Sequence, residues 1–299
     1  MVTGANGQLG CELAAALQAC ANVISLDRAA LDLSDPDAVR AALRAHAPDL
    51  VVNAAAYTDV DRAETDRERA FAVNAMAPGV LAEHARAAGT LLVHWSTDYV
   101  FDGDQRTPYA ESAIPRPLNA YGASKLAGEA AIRDSGAAAL IFRTSWVYGL
   151  RGRNFLLTIR RLAATRDELR IVADQAGTPN WCRELARVTA TLIACGLPYL
   201  RERCGLYHLS ARGATTWFDF ARAIVGDVPR PRVVPITTAE YPTPARRPVY
   251  GVLDSALFER TFGLALPDWR RSLADCMNSP AEPPGDAQVA CPPSGPPGR

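Results

Sequence analysis

The sequence predicts an α/β protein with a doubly wound, parallel central sheet and a smaller C-terminal domain. In the first half of the 299 residues, short apolar runs alternate with alanine-rich helical stretches. Strands that are apolar throughout are typical of a parallel sheet that helices cover on both faces. A glycine-rich segment at the start and a loss of regularity after residue 150 complete the pattern.

The expected elements follow this alternation along the chain. We expect short strands at the four apolar runs Val23–Leu26, Leu50–Asn53, Leu91–Trp95 and Ala139–Arg143. Helices are expected at Cys11–Ala19, Asp35–His46 with Ser34 as its cap, and Tyr121–Ser135, and Glu64–Ala88 is expected to contain one or two helices. Only Met1, Val2 and Thr3 precede the first glycine, so the first strand is either short or preceded by further residues upstream.

Three segments divide the chain. Residues 1–150 are expected to form the nucleotide-binding domain, with a returning strand near 205–211. Residues 151–277, where prolines and charges are more frequent, are expected to form mainly a substrate-binding domain. The segment 278–299 is rich in Pro, Gly and Ala, a composition that predicts disorder because it offers little apolar surface to bury.

Charge and cysteine usage exclude several classes of protein. Basic and acidic residues number 32 each, a balance that argues against a partner such as nucleic acid or an anionic membrane. The seven cysteines form no CxxC pair, which favours reduced thiols over disulfides or a zinc site. With no signal peptide and no apolar run of membrane-spanning length, a cytoplasmic location is expected.

The segment TGANGQLG at residues 3–10 predicts a phosphate-binding loop between a strand and a helix. Glycines at positions 4, 7 and 10 allow a tight turn and a close approach to a pyrophosphate, and the helix start offers free amides. An ordinary glycine-rich turn is the alternative. The residues expected to contact the dinucleotide here are Gly4, Asn6, Gly7, Gln8, Leu9 and Gly10.

The end of the second strand carries conflicting signals about the cofactor. Asp27 is placed to hold an adenosine ribose hydroxyl, which favours NADH, whereas Arg28 is placed to bind a 2′-phosphate, which favours NADPH. The choice between the two cofactors stays open. Asp32 and Leu33 are expected beside the adenine ring, although Asp32 is also typical of a helix-capping or turn carboxylate.

Tyr121 and Lys125 are four residues apart, so they lie on one face of a helix. A nearby ammonium group is expected to lower the pKa of the phenol, which can then give a proton to a carbonyl oxygen as hydride reaches carbon. Ser96 or Thr97, directly after a strand, can supply a hydroxyl to the same carbonyl.

These features together resemble the extended short-chain dehydrogenases/reductases, whose fold is of the Rossmann type. Within that class the chain is similar to the dTDP-4-dehydrorhamnose reductase family over residues 1–277. The stretches that carry the similarity are TGANGQLG (3–10), VVNAAAYTDVDRAE (51–64), STDYVFDG (96–103), YGASKLAGE (121–129) and FRTSWVYG (142–149).

The resemblance implies reduction of the 4-keto group of dTDP-4-dehydro-L-rhamnose by NADPH or NADH. Tyr121 would be the acid, Lys125 its partner and a ribose ligand, and Thr97 the hydroxyl that orients the carbonyl. The remaining positions that the resemblance assigns are Asn53, Ala54 and Ala55 for the cofactor, and Trp146, Asp98, Tyr99, Asn154 and Gln175 for the substrate. For Asp98, Tyr99, Asn154 and Gln175, turn or core positions are an equal alternative.

Some relatives bind Mg²⁺ at a subunit contact through several acidic residues, as part of a homodimer. Glu12 fits that arrangement, but no matching acids are clear near Trp181–Arg187, so no metal site is predicted. Two alternative functions remain open: another nucleotide-sugar reductase or epimerase-reductase, and a dinucleotide-binding regulatory subunit like that of methionine adenosyltransferase. An intact Thr97, Tyr121 and Lys125 favours an enzyme, because a regulatory subunit needs no proton donor.

Overall fold

The computed structural model describes residues 1–279. Its central sheet has six strands in the order β10-β5-β4-β3-β1-β2, and every pairing in it is parallel. These strands are β1 (Val2–Thr3), β2 (Ser25–Leu26), β3 (Leu50–Asn53), β4 (Leu91–Thr97), β5 (Ala139–Thr144) and β10 (Gly205–His208). The predicted doubly wound, parallel α/β fold is therefore confirmed.

Eleven α-helices lie within residues 1–279. They are α1 (Gln8–Leu17), α2 (Pro36–His46), α3 (Arg67–Phe71), α4 (Ala77–Ala88), α5 (Ala120–Ser135), α6 (Phe155–Ala163), α7 (Cys182–Ala194), α8 (Leu197–Arg201), α9 (Trp217–Val225), α10 (Ala256–Phe262) and α11 (Trp269–Asn278). A π-helical turn at Ala72–Met76 joins α3 to α4.

Two hydrophobic clusters pack against the sheet. Every residue of β4 and β5 is buried, as expected for parallel strands that helices cover on both faces. One cluster includes Leu13 of α1 and Leu185 of α7, and the other includes Leu43 of α2 and Leu81 of α4. The helices bury their apolar faces in these clusters and leave the strand ends to carry polar side chains.

Several expected boundaries were wrong at the ends of elements. Helix α1 begins at Gln8 rather than Cys11, and β2 covers only the second half of the expected strand. Asp35, not Ser34, caps α2, because its side chain accepts hydrogen bonds from the amides of Asp37 and Ala38. The hydroxyl of Ser34 is instead bonded to the carboxylate of Asp32.

The strand order reverses between β1 and β3. From β1 the chain crosses to β2 on one side, and from β3 it continues through β4, β5 and β10 on the other. Ligands of open α/β sheets bind in the crevice that such a reversal leaves at the carboxyl ends of the strands. The glycine-rich segment after β1 and the segment after β3 therefore meet at the expected binding crevice.

Short strands connect the remaining chain. The pairs are β6 (Val147–Tyr148) with β9 (Asn180–Trp181), β7 (Glu168–Val172) with β12 (Arg232–Ile236), and β8 (Ala176–Gly177) with β11 (Thr215–Thr216). Across residues 1–279, none of the helices has the length and apolar character that crossing a bilayer requires. The tail expected at 278–299 lies, beyond Ser279, outside the described residues.

A buried ion pair fastens α5 to the sheet. Arg143 of β5 donates to both carboxylate oxygens of Glu129, at 2.8 and 2.6 Å, and Ser96 of β4 donates to the same carboxylate at 2.5 Å. The side chains of the ion pair are no more than 1% exposed. Removing one partner of such a pair leaves an uncompensated charge in the interior.

Glu129→Gln should therefore lower the free energy of unfolding by about 3–5 kcal/mol, which urea denaturation can measure. Glu259→Gln is the matched control, since its partner Arg212 is 62% exposed; the loss there should be about 1 kcal/mol or less. An equal loss of unfolding free energy in the two variants would contradict the claim that the buried pair makes a major contribution to stability.

Candidate active site

The loop after β1 has the geometry of a phosphate cradle. Gly4 has a φ of +69°, and a Cβ on it would lie 2.7 Å from Cα of Ala55, so no larger residue fits. Helix α1 starts at Gln8, and its cap residue, Gly7, supplies no side-chain hydrogen bond. The first amides of α1 are thus open to an anionic ligand, as a bound pyrophosphate requires.

The end of β2 gives the acidic and basic side chains different surroundings. The carboxylate of Asp27 accepts bonds from the backbone amides of Ala29 and Ala30 and from the side-chain amide of Asn6. Arg28 is 69% exposed and lies 3.9 Å from Asp32. The carboxylate of Asp27, which would bind a ribose hydroxyl, already accepts hydrogen bonds from neighbouring groups. The guanidinium of Arg28, by contrast, is accessible to a ligand.

Asp32 and Leu33 each have a structural role that accounts for the position of the side chain. The carboxylate of Asp32 accepts bonds from the amide and the hydroxyl of Ser34, and these bonds lower its pKa. Arg69 approaches it to 3.6 Å. Leu33 is 4% exposed and packs in the core with Val39 and Leu43. These contacts support the alternative that Asp32 is a turn carboxylate. That Asp32 and Leu33 lie beside the adenine ring of a bound cofactor stays a proposal.

A chain of buried polar groups runs under the crevice from β1 to α5. The hydroxyl of Thr3 donates to Oδ1 of Asn53 at 2.7 Å, and Nδ2 of Asn53 is 3.0 Å from Nδ1 of His94. Nε2 of His94 lies 3.3 Å from Nζ of Lys125. His94 is fully buried, and burial lowers its pKa well below the usual value.

Lys125 is held by the sheet and is 2% exposed. Its ammonium donates to the carbonyl of Trp95 at 2.5 Å. Burial lowers its pKa to about 8, while the charge of Glu129 acts in the opposite direction. The side chain of Lys125 therefore stands one helical turn from Tyr121 but is oriented toward β4.

The expected effect of Lys125 on the phenol is wrong in this arrangement. Burial raises the pKa of Tyr121 to about 12; the Thr97 hydroxyl hydrogen-bonds the phenol and lowers the pKa, and the nearby Asp98 raises it. The ammonium of Lys125 does not offset the effect of burial, and it is bonded to the carbonyl of Trp95. Tyr121 is thus a protonated phenol, ready to donate its proton.

The two hydroxyls at the end of β4 point to different places. Ser96 donates to the buried carboxylate of Glu129, which removes it from the site. Thr97 faces Tyr121, and its oxygen accepts the amide of Tyr99 at 3.2 Å. Since consecutive strand residues face opposite sides of a sheet, only one of the two candidates could serve. The structure brings Thr97 to the phenol.

The phenol reaches Thr97 because α5 packs directly on the turn after β4. A Cβ on Gly122 would lie 2.1 Å from the carbonyl oxygen of Tyr99. The side chain of Asn119 caps the helix by accepting the amide of Gly122 at 2.8 Å. The rings of Tyr99 and Tyr121 meet edge to face with centroids 5.7 Å apart. A side chain at position 122 would separate these elements.

A cavity of about 760 Å³ lies among the C-terminal segments. Its wall includes Asp61 and Arg247, which form an ion pair at 2.8 Å, and Arg247 also bonds Tyr99. Aromatic rings line another wall, where Trp217 packs on Phe155 with centroids 4.6 Å apart. Sequence reasoning missed Trp217 and Phe155 as site residues, since no short motif links them.

The other substrate-side candidates divide between the cavity and structural roles. Trp146 stacks on Trp217 at 3.5 Å and has a φ of +42°, a strained backbone conformation for a tryptophan. Gln175 lines the cavity and donates to Thr238 at 3.0 Å. Asn154 caps α6 and bonds Gln8, so a structural role accounts for its side chain.

The residues near Glu12 do not fit the magnesium site that some relatives have. Both carboxylate oxygens of Glu12 accept bonds from the guanidinium of Arg183, at 3.0 and 3.2 Å. Over the described part of the chain, there is no cluster of three or more acidic, histidine or cysteine side chains that could hold a metal ion. A cation placed by Glu12 would compete with the arginine for this carboxylate.

Comparison with known proteins places this geometry in a family. Residues 1–281 match the family described as the RmlD substrate binding domain. The chain belongs to this family. The dTDP-4-dehydrorhamnose reductase of Burkholderia thailandensis is 47% identical, with 93% of this chain and 97% of that protein covered.

Two further relatives add a cofactor and a different sugar. The dTDP-4-dehydrorhamnose reductase of Bacillus anthracis, solved in complex with NADP, is 35% identical with a TM-score of 0.84, covering 92% of this chain and 97% of that one. A protein of Streptomyces antibioticus, named "Probable dTDP-4,6-dihydroxy-2-methyloxan-3-one 4-ketoreductase", is 42% identical over 93% of this chain and 94% of its own length.

These matches confirm the family resemblance that the sequence motifs indicated. They also confirm that the chain is an NAD(P)H-dependent oxidoreductase with a Rossmann-type fold. The loop after β1, with its tight glycine and open helix amides, fits such a dinucleotide.

Arg28→Ala should weaken the binding of NADPH and leave that of NADH unchanged, because only NADPH carries a 2′-phosphate for the guanidinium to bind. Fluorescence titration of each reduced cofactor measures the effect, expected at about tenfold or more. Arg44→Ala, another exposed arginine, is the control. Equal loss for both cofactors would refute the assignment of Arg28.

Proposed function

We propose that the chain reduces the 4-keto group of dTDP-4-dehydro-L-rhamnose to give dTDP-L-rhamnose, with NADPH as the favoured reductant. The observation that carries this proposal is the contact between Thr97 and Tyr121 at the carboxyl end of β4, beside the binding crevice. A bound nicotinamide supplies hydride, and this chain supplies the proton and the orientation.

The chemistry of the site supports reduction of a carbonyl. Tyr121 keeps its proton at neutral pH because burial raises its pKa, so it can donate to an oxygen that gains negative charge. The hydroxyl of Thr97 orients the same oxygen. We propose that Lys125 leaves the carbonyl of Trp95 to bind the nicotinamide ribose, and that Asn53, Ala54 and Ala55 line the nicotinamide side of the crevice.

The cavity that Arg247 lines supports a large anionic substrate. We propose that the nucleotide lies against Phe155 and Trp217, whose rings offer a stacking surface for a base. Arg166, Arg170 and Arg247 line the same cavity and are suited to a pyrophosphate. Trp146, Tyr99 and Gln175 would then flank the sugar, between the cavity and the phenol.

A second 4-keto nucleotide sugar remains a candidate substrate, since the relative from Streptomyces antibioticus carries the name of a different 4-ketoreductase.

The regulatory-subunit alternative is less well supported, because a site with a protonated phenol beside an orienting hydroxyl has no use in binding alone. Cytoplasmic location and a homodimer are further proposals that rest on the sequence.

The test is to mix the protein with NADPH and a panel of 4-keto nucleotide sugars, and to follow loss of the reduced nicotinamide by absorbance. The fastest turnover should occur with dTDP-4-dehydro-L-rhamnose. Faster turnover of another sugar would move the assignment to that substrate, and cofactor binding without turnover of any sugar would favour the regulatory alternative.

Tyr121→Phe should lower turnover by about 10²–10⁴-fold, the usual contribution of a positioned acid, with cofactor affinity unchanged. Lys125→Met should lower turnover and also weaken cofactor binding, because it removes the ribose contact. Single-turnover rates and fluorescence titration separate the two effects.

Tyr207→Phe removes the same hydroxyl from an edge strand, where it bonds the carbonyl of Arg203, and serves as the control. Its turnover should match that of the parent protein. Near-normal turnover in Tyr121→Phe would show that another group donates the proton.

A further inference from the structure

The cavity proposed for the nucleotide carries as many acidic as basic side chains. Three arginines and three acids line it: Arg166, Arg170, Arg247, Asp61, Glu168 and Glu240. A diphosphate therefore gains little attraction from the net charge of this wall. Its binding has to come from a guanidinium that is held in a suitable position.

The arginines of this wall are held to different degrees. Arg170 is 59% exposed and meets the half-exposed Glu240 through one contact at 3.0 Å. Arg247 is 21% exposed and meets Asp61 through two. Its Nη1 donates to Oδ1 at 3.0 Å, and its Nη2 donates to Oδ2 at 2.8 Å. Two such bonds fix the plane of a guanidinium, which a single exposed contact does not.

Asp61 also holds the backbone of the segment that carries Arg247. Oδ1 of Asp61 accepts the amide of Ala245 at 3.1 Å. From another side, the side-chain amide of Asn119 donates to the carbonyl of Arg246 at 2.8 Å, and Asn119 is the cap of α5. The position of Arg247 is thereby fixed relative to α5 as well as to the cavity.

Arg247 connects the cavity to the two tyrosines. It lines the cavity and bonds Tyr99, whose ring meets that of Tyr121 edge to face. The sugar of a nucleotide sugar is joined directly to the diphosphate. A diphosphate that Arg247 binds would therefore bring the sugar toward Tyr121.

We propose that Asp61 is a positioning residue, which fixes the guanidinium of Arg247 so that it binds the diphosphate of the nucleotide sugar. This inference rests on the proposed function. Asp61 acts through Arg247, since its own negative charge repels a diphosphate. The effect of Asp61 on affinity must then change with the residue at position 247.

The test uses dTDP, which carries the diphosphate without the sugar, and measures its Kd by isothermal titration calorimetry. Asp61→Asn should raise Kd by about tenfold, because the guanidinium loses its charged, bidentate partner. Asparagine keeps one oxygen that can accept the amide of Ala245. In a protein that carries Arg247→Met, the same substitution should leave Kd unchanged or lower it, because it then removes only a repelling charge.

Glu240→Gln is the matched control, since it also removes one acid from the wall of this cavity. It should bind dTDP at least as tightly as the parent protein, because the exposed Arg170 keeps its charge. Fluorescence titration should give the same NADPH affinity in all variants. In turnover, Asp61→Asn should raise KM for the nucleotide sugar by about tenfold and leave kcat within about threefold of the parent value.

Two results would overturn the inference alone. One is a dTDP affinity in Asp61→Asn that equals or exceeds that of the parent. The other is an equal weakening by Asp61→Asn with and without Arg247, which would show that Asp61 acts on the fold of the segment rather than through the guanidinium. A parent protein that does not bind dTDP would overturn the proposed function and this inference together.

Discussion

The direct packing of α5 on the turn after β4 is the contact on which the site depends. Gly122 brings the helix against the carbonyl oxygen of Tyr99, where any side chain would overlap it. One turn further along the helix, Lys125 donates to the carbonyl of Trp95. After another turn, the carboxylate of Glu129 accepts a hydrogen bond from Arg143. These three positions on one helix fix the distance between α5 and β4, and with it the contact of the phenol with Thr97.

Burial at this contact sets the chemistry of each group. The same exclusion of water raises the pKa values of Tyr121 and Asp98 and lowers that of Lys125. Acids that hold their protons and a base that loses one readily are what a proton-donating site requires. Residues that complete this environment, such as His94 and Asn53, come from neighbouring strands and are fully buried. The sheet thus determines the protonation of the site as well as its geometry.

The strand runs and the glycine loop were enough to predict the parallel sheet and the binding crevice. The positions of Tyr121 and Lys125 could also be predicted, because helical spacing alone puts them on one face. Without the family resemblance, the residue pattern could not distinguish Ser96 from Thr97, since that depends on which face of β4 meets α5. It could not find Trp217 either, because Trp217 meets Trp146 only through tertiary packing. The orientation of Lys125 toward Trp95 likewise depends on burial that no local pattern reveals.

The central claim is that hydride and proton reach the keto group from different sources, the cofactor and this chain. The most direct measurement uses NADPH carrying two deuteriums at C4 of the nicotinamide, with dTDP-4-dehydro-L-rhamnose in ordinary water and mass and NMR analysis of the product. The account predicts dTDP-L-rhamnose with one deuterium, bound to C4 of the sugar. Failure to form this product, or a product whose C4 hydrogen comes from solvent, would contradict it.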